Sequence, residues 1–205
     1  MPKKLISRFP RRRLRYPRVA CERKVNGLSN MSEHRESIII VDENDEIIGH
    51  KERGTLLKSD IYRVTALWVT NSRGDILLAQ RALTKRHDPG KWGPAAAGTV
   101  DQGETYDGNV VKEAFEELGL AGIRPTKGPR FRVSGEYQYF CQLYLLVVDR
   151  PAEDFVIQAE EVAQVRWFSK AELETAMRDH PEQFLDGLKR EMELVDAFGA
   201  ERARS

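Results

Sequence analysis

Residues 98–120 read GTVDQGETYDGNVVKEAFEELGL, and no other stretch constrains the chain as tightly. Between Glu104 and Gly119 only Gly108 weakens a helix, and Val110, Val111, Ala114, Phe115 and Leu118 recur at helical spacing. At about 100° per residue these form one stripe, with Glu113, Glu116 and Glu117 on roughly the opposite side. Carboxylates crowded within one turn repel each other, so a solvated helix gains nothing from them. A hard divalent cation reverses the sign of that energy, because Mg²⁺ and Mn²⁺ take oxygen ligands. The glycine-rich approach through Gly98 lets a backbone carbonyl come near the same ion. Alone, EAFEELGL reads as the wet face of an amphipathic helix closed by a glycine cap. Gly98 and Glu104 at fixed distances upstream shift the reading toward a metal site.

The full pattern runs Gly98, Glu104, Lys112, Glu113, Ala114, Glu116, Glu117, Gly119, Leu120. It resembles the Nudix box, the signature of a family that hydrolyses nucleoside diphosphates linked to another moiety. Two positions depart from it: Lys112 stands where the family has arginine, and Ala114 is small for the hydrophobic position. The resemblance implies an α/β/α sandwich with a mixed sheet, and a small-molecule diphosphate as substrate. Mg²⁺ is the expected cofactor, with Mn²⁺ as the alternative ion. Glu113 and Glu117 are the leading metal ligands, assisted by Glu116 and the Gly98 carbonyl. Glu113, Glu116, Lys112 and Glu104 form the catalytic set, with Glu113 or Glu116 as general base. Glu160 and Glu161 are later candidates for that base, although they also read as an ordinary charged turn. Lysine keeps the arginine's charge but not its planar fork, so the exchange is not conservative. Losing one bidentate contact costs about 1–3 kcal/mol, which predicts a slow hydrolase that Lys112→Arg would speed.

Around the box, short apolar runs alternate with polar turns. Ser37–Val41 and residues 46–50 read as an N-terminal β-hairpin, and residues 64–70 and 75–81 as a second strand pair. Further strand signals lie at residues 130–134 and 137–148 and at Val162–Phe168. Ser169 with Glu172 reads as a capping box for a helix over residues 170–177, and Pro181 as the opening of a last helix to about residue 198. The expected organisation is one domain over residues 35–200, between a basic tail at 1–34 and a short tail at 201–205.

The likeness extends over roughly residues 35–198, and ALWVTNSRGDILLAQRALTKRHDPGKWGPAAAGTVDQGE is similar to the Nudix branch that includes isopentenyl-diphosphate isomerase. Such an isomerase would need a cysteine and histidines just after the Pro-Gly-x-Trp segment. Here that segment continues GPAAAGT, and Cys141 is too far along the chain to serve. Hydrolysis is therefore preferred. Arg81, Arg86 and Lys91, with Lys85 and His87, are expected to rim the substrate pocket, a basic border suited to a diphosphate. Trp92 is expected to pack beneath that loop.

Charge informs only when the chain is divided. Residues 1–30 carry a net +9, and the whole chain +1, leaving about −8 for residues 31–205. FPRRRLRYPR lacks the apolar area to order itself, which leaves three readings: a nucleic-acid or anionic-surface contact, a targeting peptide, or a start site misplaced upstream of Met31. No apolar run reaches membrane-spanning length, and no membrane partner is expected. Two cysteines suggest neither a disulfide framework nor a zinc site, so a reducing compartment, the cytoplasm, is expected. The hairpin is also a candidate edge for homodimer exchange. The rival to an enzyme is a non-catalytic Nudix-fold module that binds RNA or protein.

Overall fold

The strand β3 (Ile61–Thr70) organises the molecule, because its two edges are used differently. One edge runs parallel to β8 (Gln138–Val147) from Ile61↔Gln138 to Thr70↔Val147. The other edge is divided among three antiparallel partners. These are β1 (Ser37–Val41) at the start, β6 (Ala96–Thr99) in the middle and β4 (Ile76–Arg81) at the end. Because β4 and β6 leave β3 at different levels, they part, and a cleft opens between them. Parallel and antiparallel pairs in one sheet make it mixed, as expected.

The computed structural model describes residues 37–204, which lie within a unit spanning Arg35–Ser205. The basic segment and the readings attached to it lie outside the described residues. The sheet also contains β2 (Ile47–Glu52), β5 (Trp92–Gly93), β7 (Thr126–Val133) and β9 (Val162–Phe168). Three helices cover it: α1 (Tyr106–Leu118), α2 (Lys170–Asp179) and α3 (Leu188–Arg202). Among the described residues no helix is long and apolar enough to cross a membrane.

Strand alternation divides β3 between two cores. Leu67 and Val69 join Val110, Ala114 and Leu118 of α1, whereas Trp68 faces Leu173 of α2 and Leu188 and Met192 of α3. The result is an α/β/α sandwich. A fully buried leucine contributes about 1.5–3 kcal/mol, and Leu67, Leu77, Leu118, Leu173 and Leu188 are all at most 1% exposed. Trp92 packs as expected, edge-to-face on Phe168.

Four expectations change. The box helix begins at Tyr106, because the Thr105 side chain caps the Gly108 N–H and stops the helix reaching back toward Glu104. Phe115 leaves the apolar stripe and is 58% exposed, since the sheet contacts only the side bearing Val110, Ala114 and Leu118. Strand β7 starts at Thr126, with a register shift between Lys127 and Arg130 where Gly128 and Pro129 interrupt the ladder. Pro181 opens only the single 3₁₀ turn Pro181–Gln183. The Leu185 N–H pairs with the Trp92 carbonyl at 2.9 Å, so α3 cannot start before Leu188. At α2, the Ser169 hydroxyl accepts from the Glu172 N–H at 3.2 Å, while the Glu172 carboxylate turns to Arg166.

Candidate metal and catalytic site

The site is built where α1 passes the edge of β6. Gly119, in the left-handed conformation at φ 66°, gives its N–H to the Ala114 and Phe115 carbonyls and ends the helix cleanly. Between the two caps, Asn109, Glu113 and Glu117 fall at successive spacings of four and share one side of α1. Glu116 lies off that row and is exposed. The structure therefore separates the three carboxylates: Glu113 and Glu117 are half-buried against β6, and Glu116 stands in solvent.

Gly98 sits opposite Thr65 on β3, and its α-carbon faces Glu113. An ideal Cβ there would lie 2.2 Å from Glu113 Cδ and Oε1, so only glycine leaves room for this carboxylate. Glu117 accepts from the Ala97 N–H at 3.2 Å. Burial, reinforced by repulsion from Glu113, pushes its carboxyl up to about 8. Burial likewise raises Glu113, with Lys112 opposing and Glu116 adding to the shift.

Glu104 and Lys112 form a support beside this pair. The Lys112 ammonium stands 2.8 Å from Glu104, 3.5 Å from Glu113 and 3.8 Å from Asp101. Burial opposes charge on both partners, yet each stays ionised more firmly than usual. Lys112, the Asp101 N–H and Asn109 lower Glu104, while Glu104, Glu113 and Asp101 raise Lys112.

Asn109 is the site residue that sequence reasoning missed. Its amide donates to Glu104 at 2.8 Å, to Glu113 at 3.2 Å and to the Thr99 carbonyl at 3.1 Å. It is fully buried, and its own oxygen accepts from Thr65 at 2.5 Å. The signal was its place one turn before Glu113 on the carboxylate row.

Among the expected rim residues, Arg81 alone lines the cleft with Glu117, together with Glu161, Ala97, Gly93 and Leu185. Its guanidinium donates to the His87 carbonyl at 3.1 and 3.0 Å, which fixes its direction. Lys91 is drawn aside by Asp88 at 2.8 Å and Asp186 at 3.8 Å, and Asp88 raises its pKa. Arg86 is exposed and has no hydrogen-bond or ion-pair partner among the described residues. Of the two later glutamates, Glu161 enters the cleft, paired with Lys85, whereas Glu160 is exposed outside it.

The donor set fits a divalent cation. Glu113 and Glu117 are two crowded carboxylates, both raised by burial, with neutral Ala97 and Asn109 donors and only a distant share of Lys112. Among the described residues no three acidic, histidine or cysteine side chains are already gathered as a closed metal cage. An open pair suits Mg²⁺, which keeps several waters and takes one or two carboxylates plus substrate phosphates. Cys141 is buried in β8 with its thiol pushed far up by burial, so it offers the cleft no acid or nucleophile.

Comparison with known proteins bears on the family and the fold. The model of the NUDIX domain matches residues 61–188. An uncharacterized Nudix hydrolase of Pseudomonas aeruginosa is 33% identical over 134 residues, covering 64% of this chain and 78% of the relative. An isopentenyl-diphosphate Delta-isomerase of Kocuria rhizophila is 30% identical over 189 residues, covering 80% and 96%. A crystal structure of a Deinococcus radiodurans protein superposes with a TM-score of 0.67 at 24% identity, over 80% of this chain and 99% of that one, a likeness of fold.

Proposed function

Because the chain belongs to the NUDIX domain family, we propose that it is a divalent-metal-dependent hydrolase of a diphosphate linkage in a nucleoside-diphosphate-linked or related small molecule. The observation that carries this reading is the pair Glu113 and Glu117, one helical turn apart and both raised by burial, with a glycine that makes room for Glu113. The pair holds Mg²⁺ or Mn²⁺, with the Gly98 carbonyl and Glu116 assisting. A divalent cation there supplies charge neutralisation for the diphosphate oxygens and acidifies a bound water. Lys112 and Asn109 keep Glu104 and Glu113 in place. Arg81 meets the diphosphate from across the cleft, with Arg86 and Lys91 farther out on the rim. Glu113 or Glu116 accepts the proton of the attacking water, and Glu161 is the alternative because it lines the cleft with Glu117.

The relative that is an isomerase does not move the proposal to isomerisation. The residues beside the metal pair are Ala95, Ala96 and Ala97, which carry no proton to give to carbon, and the Cys141 thiol is buried elsewhere. The test is diphosphate or phosphate release with Mg²⁺ from nucleotide sugars, dinucleotides, oxidised nucleotides and isoprenoid-type diphosphates. Glu117→Gln is expected to lower kcat at least about 100-fold on the best substrate. Equal rates in both proteins would overturn the metal-carboxylate reading. RNA binding by residues 1–205 but not by 31–205, with no hydrolysis, would favour the binding module.

A further inference from the structure

The lysine that replaces the family's arginine has help from outside the region the family model covers. That region starts at residue 61, whereas the β1–β2 hairpin and Arg53 precede it. The hairpin is joined to the loop between β6 and α1 by its backbone. The Gln102 N–H donates to the Ser37 carbonyl at 2.6 Å, and Ile38 bridges Asp101. Just past β2, the Arg53 guanidinium reaches the Oδ1 of Asp101 at 3.2 Å. The other oxygen of the same carboxylate faces Lys112 at 3.8 Å. Asp101 is in turn tied to Glu104, because its N–H donates to the Glu104 carboxylate at 3.1 Å.

One ammonium thus faces three carboxylates, Asp101, Glu104 and Glu113, and a lysine offers a single mobile point of charge where an arginine would offer two parallel N–H bonds. Arg53 carries part of that load. We propose that Arg53 is a positioning residue for the metal site: by holding Asp101 it leaves Lys112 to Glu104 and Glu113, and so compensates in part for the missing arginine fork. The hairpin is then a working part of the catalytic domain. This inference rests on the metal-site reading above, but it concerns the coupling of two cations, which is measurable without any substrate.

The test is a double-mutant cycle in the full chain, read by calorimetric binding of Mn²⁺ alone, with kcat and KM measured on the best diphosphate. Arg53→Ala is expected to weaken Mn²⁺ binding about 5- to 10-fold, and to lower kcat similarly with KM within about twofold. Its melting temperature stays within a few degrees, because an ion pair with a 46% exposed arginine contributes little to folding. Lys112→Arg is expected to tighten Mn²⁺ about twofold in the natural background and about tenfold in Arg53→Ala, and Arg53→Lys should fall between arginine and alanine. Equal factors for Lys112→Arg in both backgrounds would overturn the proposal, as would an Arg53→Ala protein with unchanged Mn²⁺ affinity, or no Mn²⁺ binding by the natural protein. If the Mn²⁺ cycle is coupled but no diphosphate is hydrolysed, the positioning role stands and the hydrolase reading falls.

Discussion

Gly98→Ala separates what the box needs for chemistry from what it needs for folding. An added methyl would sit 2.2 Å from Glu113 Cδ and Oε1 and 2.5 Å from Cγ. Carbon atoms in contact stand about 3.5–4.0 Å apart, so the carboxylate must retreat by well over about 1 Å. The atoms in the way are the outer end of a flexible side chain, so the Thr65↔Gly98 pairing survives and Glu113 swings outward. A displacement of about 1 Å among catalytic groups costs on the order of 100-fold in rate, or about 2.7 kcal/mol of barrier. Stability moves little, because two effects oppose. Glu113 loses the Asn109 bond at 3.2 Å and its 3.5 Å approach to Lys112, together about 1–2 kcal/mol. Leaving the sheet edge also relieves the burial that holds its pKa high. The expected result is kcat/KM down about 100-fold and weakened Mn²⁺ binding, with Tm within about 4 °C of the natural protein. Retained activity with unchanged Mn²⁺ affinity would refute the close-approach argument. A fall in Tm of more than about 10 °C would mean that the glycine serves the fold instead.

Two further expectations concern folding. The folded-state values of Glu117 and Glu191, about 8 and about 7, lie above the 4.5 of an ordinary glutamate, and burial is the first cause of each. Between pH 4.5 and 8 the folded metal-free protein therefore holds protons that the unfolded chain has released, and its stability falls as pH rises. Glu191 Oε2 is buried without a hydrogen-bond partner among the described residues, so Glu191→Gln removes the part of this loss that ends near pH 7. That part is up to about 3 kcal/mol, and an unchanged slope of Tm between pH 5 and 7 would refute it. Asp45 is 4% exposed and joins Arg63 at 2.7 Å, Arg130 at 2.5 Å and the Tyr106 hydroxyl at 3.1 Å. Asn tolerates its φ of 64°, so Asp45→Asn tests the charge alone and is expected to cost about 3 kcal/mol in chemical denaturation. A cost under about 1 kcal/mol would show that the two arginines do not depend on it.

What was legible in the chain was whatever a local rule could carry. Three glutamates in one turn are unfavourable unless something outside the helix reconciles them, so the candidate site drew attention before any packing was known. The strand signals were equally local, since apolar runs between polar turns marked Ser37–Val41 and Val162–Phe168 at the bounds the structure gives them. Where distant backbone intervened, local signals lost. Pro181 is a sound helix opener, yet the Leu185 N–H is taken by Trp92, far earlier in the chain, and the helix waits until Leu188.

The same limit explains why two lysines of the expected basic rim are paired with acids. Lys91 and Lys85 carry the right charge, but Asp88 and Glu161 claim them, and no spacing rule links position 85 to position 161. It also explains why the sequence offered the hairpin only as a candidate edge for homodimer exchange. Arg53 and Asp101 are far apart in sequence and within 3.2 Å in space, and Asp45 reaches Tyr106 at the first turn of α1. A domain drawn from the signature alone therefore omits one ion pair and one hydrogen bond that tie the hairpin to the box helix and the loop before it. At position 112 one ammonium without an arginine's planar fork faces Asp101, Glu104 and Glu113, and Arg53 brings a second cation to Asp101 from outside the signature.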